Sequence, residues 1–544
     1  MNAHASALWL CAPVAVPLAV AALYGAARRR PLTPWAALVS PAAVLGAAAA
    51  LSAPAAGGGA VPALGGLLRA DALTVWMLLA VGAVALPACA AGPAYLAGER
   101  AAGRGGERFV RRYQVLVHLF LGAMCTAVLT ANLGVLWAAV EATTIVTAFL
   151  VGHRRTRASV EAAWKYVVIC SAGIALAFLG IVLIHHAARA AGVPEESALD
   201  WPTLLAYADH FDPPVIRLAT ALVLLGFGAK AGLVPLHAWL PDAHSQAPAP
   251  VSALMSGVLL SVSFMAVLRC KAIADAALGT GYTRVLLTAM ALLTLALAAG
   301  LLLGQRDYKR MLAYSSMEHM SLIALGAAVG TPLALSAVLL HITGHGLAKT
   351  VAFCSSGHLL QLRGTSRIDE IRGLLAQAPA LGAAFGLAVL ALLGLPPFSL
   401  FASELGIVRA GFAAGLGGPT AVALVLVLIA FGALSARTAR MLLDGRAVPS
   451  PAPADAPSSV PERGEGSRGE GSVTAAGSGA ARSRTALLPV SGTQPPETEA
   501  RPVRLGFAAG LPLVLGLSAC AALGVAAGPL TRLLAAGAAV IGGQ

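Results

Sequence analysis

Residues 222–254 read LVLLGFGAKAGLVPLHAWLPDAHSQAPAPVSAL. The segment opens strongly apolar, carries one lysine, Lys230, well inside it, and is then interrupted by Pro235, Pro241, Pro248 and Pro250. A charge at the bilayer centre costs roughly 2.5–3.5 kcal/mol even on the mildest scale, so an intramembrane ionisable residue is a functional candidate by default. A helix broken at membrane depth persists only where it lines protein or water. The two anomalies lie within a few residues of each other and mark a transport site.

The whole chain has the matching character. Of its 544 residues 58% are hydrophobic and 11% charged, and the mean hydropathy is +0.80, far above that of a soluble globular protein. Apolar runs of about 20 residues, each long enough to cross the hydrocarbon as a helix, recur along nearly its full length. The fold class is therefore an all-α polytopic membrane protein with about fourteen transmembrane helices. The seven cysteines stand singly in apolar runs, without a CxxC or Cys/His cluster, which argues against iron–sulfur, zinc or disulfide chemistry. No nucleotide-type glycine loop is present, and no cofactor is expected. The net charge of +13 comes from 32 arginines and five lysines, set in short loops between apolar runs. That placement signals membrane orientation, and no nucleic-acid partner is expected.

The expected spans are 7–26, 34–53, 72–94, 114–131, 133–152, 162–185, 216–234, 251–268, 284–304, 311–329, 332–361, 380–409 (interrupted at Pro396-Pro397), 418–443 and 505–527, with a short apolar tail after Pro529. Arg28, Arg29 and Arg30 follow the first run rather than precede it, so it is no cleavable signal peptide, and the N-terminus is expected outside. Odd-to-even loops hold the basic clusters, such as Arg108/Arg111/Arg112, Arg154/Arg155/Arg157 and Arg437/Arg440. The longest even-to-odd loop, 186–215, carries Glu195, Glu196, Asp200, Asp209 and Asp212. Both termini are thus expected outside the cell membrane. Residues 447–503, rich in Pro, Ser, Gly, Glu and Arg, read as a disordered cytoplasmic linker.

Lysine is scarce, so its positions inform. Arginine keeps its proton in proteins, whereas a desolvated lysine can release one. Lys230 and Lys349 lie deep in apolar segments; Lys165, one turn from a helix start, suits interfacial snorkelling as well as function. Buried acids are as rare: Glu141 in LGVLWAAVEATTIVTAFLVG, with Thr144 one turn along, and Glu404 beyond the Pro396-Pro397 break. Were Glu141 and Lys230 paired, the ion pair would keep both charged, and breaking it would load or release a proton. His341, His345 and Lys349 are spaced i, i+4, i+8 on one helical stripe. Histidine titrates near neutrality and can pass protons. No carboxylate or cysteine joins these histidines in sequence, so a proton relay is preferred and no metal is expected. His319, beside Glu318, suits a gating, core or relay role; His237 and His244 flank the broken region and suit an access path.

The stretches around GLVPL and GLPPF share a pattern of apolar helix, break and nearby charge, Lys230 in one and Glu404 in the other. Paired interrupted helices point to two inverted five-helix repeats, with the seventh and twelfth helices broken. The expected organisation is 1–113 (N-terminal helices), 114–268 (first repeat), 284–443 (second repeat), 447–503 (linker) and 505–544 (C-terminal helix).

Several stretches of about residues 70–445 carry a resemblance: VEATTIVTAFLVG, EAAWKYVVICSAGIALAFLG, GFGAKAGLVPLHAWLPDAHSQAPAPVSALMSG, QRDYKRMLAYSSMEHMSLIALG, HITGHGLAKTVAFCSSGHLLQ and LPPFSLFASE. The chain resembles the antiporter-like membrane subunits of complex I and of membrane-bound hydrogenases, related to Mrp-type cation/proton antiporters, and looks most like the hydrogenase-4 component F type. The resemblance implies a proton-translocating subunit of a redox-driven complex of hydrogenase-4 or NADH-quinone oxidoreductase type. Glu141 and Lys230 would form the pair controlling proton uptake, and His341, His345 and Glu404 would continue the path. It implies partner subunits, membrane and peripheral, that hold the redox centres, and protons as the carried ion with sodium as the alternative. The rival implications are an Mrp-type cation/proton antiporter subunit and a subunit of an inorganic-carbon uptake system. Related subunits often carry a lysine or histidine on the eighth helix, where this chain has Ser256 and Ser261; serine-held water or Lys349 would then have to bridge the middle of the path.

Overall fold

The structure, a computed structural model, describes residues 3–27, 32–444 and 504–542. The Arg28–Arg30 cluster and the 447–503 linker lie outside the described residues. One short antiparallel hairpin, β1 (Val61–Ala63) with β2 (Leu68–Ala70), pairs Val61 with Ala70. The other regular elements among the described residues are helices. The helices begin with α1 (Ala3–Ala26), α2 (Val39–Ala56), α3 (Ala72–Ala101), α4 (Glu107–Leu129), α5 (Leu133–Val151) and α6 (Arg157–Ala190). Then come α7 (Pro213–Lys230), the short α8 (Leu240–Gln246), α9 (Ala249–Leu278), α10 (Thr280–Leu303), α11 (Tyr308–Val329) and α12 (Pro332–Arg363). The chain closes with α13 (Pro379–Leu392), α14 (Ser399–Ala413), α15 (Gly417–Leu443), α16 (Phe507–Val525) and α17 (Thr531–Gly542).

Among the described residues twelve helices are long and apolar enough to cross a membrane, which makes this an all-α multi-pass membrane protein. Two of the expected spans fall outside that dozen for different reasons. α11 carries Lys309, Arg310, Glu318, His319 and five serines or tyrosines along a helix that is buried nearly all round. The 380–409 span divides into α13 and α14, each too short to cross alone. The apolar tail after Pro529 is helical as α17 and packs on α3 and α12. α3, α9 and α12 are buried almost throughout and form the centre, while α1, α15 and α16 present apolar faces such as Leu428 and Val525 outward.

Loops expected on one side do meet each other. Leu68 bridges Thr130, and Asn132 bridges Asp200, joining three even-to-odd connections. Asp307 bridges Arg367, and Glu99 binds Arg104 and Arg154, joining odd-to-even ones.

Local chemistry sets the elements around the site. Asn132 caps α5, its side-chain oxygen accepting from Gly134 N at 2.9 Å and Val135 N at 3.1 Å, which fixes the height of Glu141 on that helix. α6 and α7 approach closely because Gly173 and Gly180 face α7 and Gly226 faces α6. A Cβ at Gly226 would fall 2.5 Å from Ala177 N and Gly173 O.

The seventh span stops sooner than its apolar sequence suggests: α7 ends at Lys230, not at 234. Gly232 takes φ 81°, its N–H bonding Ala229 O at 3.2 Å, and Leu233 N bonds Gly228 O at 2.8 Å, a Schellman closure that overrides the apolar run. Lys230 therefore stands in a terminal turn, at the negative end of the helix dipole, rather than in mid-helix.

Candidate functional site

The site begins at this terminal turn. Lys230 is fully buried, and its Nζ donates to Thr144 Oγ1 on α5 and to Tyr166 OH on α6, both at 2.6 Å. The ammonium lies 4.7 Å from the Tyr166 ring centroid, and the Tyr166 hydroxyl is 2.5 Å from Thr147 Oγ1. The frayed end of α7 is closed by side chains from across the break: Trp239 Nε1 donates to Ala229 O at 3.0 Å and Ser263 Oγ to Phe227 O at 2.8 Å. Further along, Val234 N is held by Thr294 Oγ1 at 3.0 Å. The break is a fixed, hydrogen-bonded structure.

Glu141 does not meet Lys230 directly. Among the described residues no ion pair joins them within 4.0 Å; Glu141 Oε1 instead accepts from Ser171 Oγ at 2.8 Å, and Oε2 has no partner. The two charges share the α5–α6 wall, with the Thr144 and Tyr166 hydroxyls in front of the ammonium. The physical reason is the early end of α7, which brings Lys230 to Thr144, one turn past Glu141. Tyr166 and Ser171 escaped the sequence reading because a tyrosine or serine in an apolar helix carries no signal until its neighbour is known.

A second cluster lies where α11, α12 and α14 converge. Lys349, fully buried, donates to Leu312 O at 2.7 Å and to Ser315 Oγ. His319 Nδ1 faces His341 Nε2 at 3.1 Å, and His341 Nδ1 lies 3.0 Å from Ser403 Oγ. His345 is stacked into the same group, its ring centroid 4.9 Å from that of His319, and neither of its nitrogens has a partner. Glu404 Oε1 stands 4.0 Å from His319 Nδ1. A Cβ at Gly394, which holds φ 63° in the break between α13 and α14, would collide with the Glu404 carboxylate. The expectation that no carboxylate joins the histidines is corrected here. One donor atom each from His319, His341 and Glu404 lies within 4.8 Å of the others, a spacing at which a metal ion could be held. The close His319–His341 and His341–Ser403 contacts already use three of these ring nitrogens in a short hydrogen-bonded file, along which a histidine can pass a proton.

Between the clusters, α9 takes one π-helical turn at Met255–Leu259. π-turns gather at functional sites. Ser256 lies in it, 2.7 Å from Ser316 Oγ of α11, while Ser261 is fully buried with an unpartnered Oγ. His244 on α8 is buried, unpartnered at both nitrogens, and stacked 5.5 Å from Phe353. His237 is only partly buried, in the break, with Nδ1 unpartnered. Lys165 stands apart: half-exposed, it pairs with Glu161 at 2.8 Å and Asp242 at 3.2 Å. It belongs to a surface ion-pair group rather than to the buried file.

Fold and site together define a multi-pass membrane protein with a buried file of ionisable side chains between two helix breaks. The chain belongs to the NADH:quinone oxidoreductase/Mrp antiporter transmembrane family, whose model matches residues 130–432. It is 38% identical over 319 residues to a hydrogenase-4 component F homolog of Methylacidiphilum infernorum, a match covering 59% of this chain and 67% of the relative. It is 36% identical over 266 residues to the NADH-quinone oxidoreductase subunit N of Desulforudis audaxviator, covering 47% of this chain and 50% of that one. In fold it is similar to a chain of the membrane-bound sulfane sulfur reductase, an archaeal respiratory membrane complex (TM-score 0.78, 22% identity, 99% and 97% covered). It is equally similar to a chain of the Mrp complex from Dietzia sp. DQ12-45-1b (TM-score 0.77, 22% identity, 98% and 97% covered).

Proposed function

We propose that this chain is a proton-translocating membrane subunit of a redox-driven complex of the hydrogenase-4 or NADH-quinone oxidoreductase type. The observation that carries this reading is Lys230: a fully buried ammonium at a helix break, held by two hydroxyls and, among the described residues, by no acid within 4.0 Å. Such a group can be charged or neutral depending on where the Glu141 charge lies, whereas a closed ion pair would hold it charged. Redox energy, delivered by neighbouring membrane subunits, alters the Glu141–Ser171 contact and with it the charge on Lys230. The proton then moves by way of Lys349, His345 and His341 to Glu404. His319, Ser256, Ser261 and His237 are auxiliary positions, and Lys165 steadies the end of α6.

The same reading assigns fourteen spans, with α11 and the α13–α14 pair added to the twelve apolar helices, and both termini outside. It also assigns two inverted repeats, 114–268 and 284–443, each holding one break. The loop-to-loop contacts on either side support this parity. The experiment is proton translocation in vesicles carrying the assembled complex: Lys230→Ala and Glu141→Gln each abolish it while co-purification of partner subunits persists. Wild-type pumping in both variants would overturn the reading. Sodium-coupled proton exchange by a complex without redox subunits would instead favour the antiporter alternative, and co-purification with an inorganic-carbon uptake partner the third.

A further inference from the structure

The path above has a gap at its centre. The eighth span contributes only serines, and a serine hydroxyl can relay a proton but cannot store one. Beyond Lys349 the route along α12 reaches His345, which has no hydrogen-bond partner at either nitrogen, whereas His319, on α11, faces His341 at 3.1 Å and Glu404 at 4.0 Å.

Glu318 occupies the gap. It sits on α11, whose entire circumference is packed, and is itself only 5% exposed. Ser315, the hydroxyl that Lys349 Nζ grips, is three residues earlier, so Glu318 rises one turn above that contact on the same face. The residue after it is His319, 4.0 Å from Glu404 and with its ring centroid 4.9 Å from that of His345. Among the described residues no side chain donates a hydrogen bond to its carboxylate. A carboxylate at this depth that no side chain holds is free to gain and lose a proton without breaking a structural bond. It is a serviceable proton store.

Resting on the proton-translocation reading, we infer that Glu318 is a proton carrier of this chain, standing on α11 between Lys349 and His319. In the step concerned, the Lys349 ammonium gives one proton to the Glu318 carboxylate, leaving an amine and a carboxylic acid. The acid then passes that proton to the imidazole of His319. The far nitrogen of the same ring delivers one to the Glu404 carboxylate, and no electron changes hands. The seryl pair Ser256–Ser316 holds the approach to Lys349 from the Lys230 side.

The test separates carrier from packing by reversing the order of two substitutions. Gln has the shape of Glu but holds no transferable acid proton, whereas Asp is shorter and keeps it. Passive proton flux is measured with an internal pH dye in proteoliposomes of the full chain and its co-purifying subunits, under a potassium diffusion potential. Glu318→Asp should retain a large fraction of wild-type flux and Glu318→Gln lose it by tenfold or more, as an order of magnitude for a removed proton-transfer group. Flux in Glu318→Gln equal to or above that in Glu318→Asp overturns the inference, as does failure of both variants to assemble, which would make the residue structural. Lys230→Ala is run alongside. Loss there with full flux in Glu318→Gln rejects only the role of Glu318, whereas full flux in Lys230→Ala rejects the underlying reading.

Discussion

Lys230 Nζ stands 2.6 Å from the Tyr166 hydroxyl, and that hydroxyl is in turn 2.5 Å from Thr147 Oγ1. The phenol is thus the polar floor of the lysine's pocket and joins α6 to α5 at the height of the α7 break. Hydrogen bonds to a charged group contribute about 1.5–3 kcal/mol each. Tyr166→Phe removes this one while keeping the ring under the ammonium. Translocation should fall by about tenfold to a hundredfold, since each 1.36 kcal/mol is a factor of ten. Dye-monitored proton uptake by vesicles carrying the variant checks this, and an unchanged rate would show that Thr144 alone sets the lysine's state.

The position of Lys230 depends on how closely α6 and α7 pack. Gly226 lies against Ala177 N and Gly173 O, so any side chain there must push the helices apart. Gly226→Val should move Lys230 off Tyr166 and abolish translocation although residue 226 touches no ionisable group in the file. A distance measured between spin labels on α6 and α7 should lengthen. Normal transport with a lengthened distance would mean that the Lys230–Tyr166 contact is dispensable.

The sequence announced the charges better than their partners. Lys230, Lys349, Glu141 and Glu404 are conspicuous because a charge in an apolar run has no cheap explanation, whereas Lys165, an auxiliary candidate only, stands in a surface ion-pair group. Tyr166, Ser171 and Ser403 were silent, because which hydroxyl meets which charge depends on helix rotation and on where α7 stops. The stop itself was misplaced by the apolar letters after Lys230; only the positive φ at Gly232 settles it. The approach of Glu404 to His319 depends on the α13–α14 break folding back on α11, a long-range event that no local spacing encodes. The π-turn at Met255–Leu259 likewise has no sequence signature.

Away from the file, Arg269 and Asp71 form a buried pair at 2.7 Å, with a second bond at 2.8 Å, and the guanidinium lies 4.1 Å from the Trp201 ring. Asp71 also caps α3 through Thr74 N at 2.8 Å. Removing one partner of a buried pair costs about 3–5 kcal/mol, whereas replacing both with apolar groups is often close to neutral. Arg269→Met should lower the thermal midpoint in detergent markedly, and the added change Asp71→Leu should recover part of it, less the lost cap. A double variant no better than the single would show that the cap and Trp201 stacking dominate.

The last structure to test is the lock on the α8 end of the break. Lys309 Nζ donates to Ser245 O at 2.6 Å and to Ala247 O at 3.1 Å, satisfying carbonyls left free as α8 ends ahead of Pro248. Lys309→Met keeps the length and apolar stem but removes both bonds, at a cost of about 1.5–3 kcal/mol for each charged hydrogen bond. The cost should appear locally, because α8 is only seven residues long and these two bonds close its C-terminal end. Hydrogen exchange should quicken over residues 240–250 while the α3, α9 and α12 core keeps its protection. His244, stacked on Phe353 from this short helix, should then lose its fixed position beside the file, and translocation should fall although Lys309 carries no proton in the proposed path. Unchanged exchange over 240–250 would show that proline geometry alone holds the break.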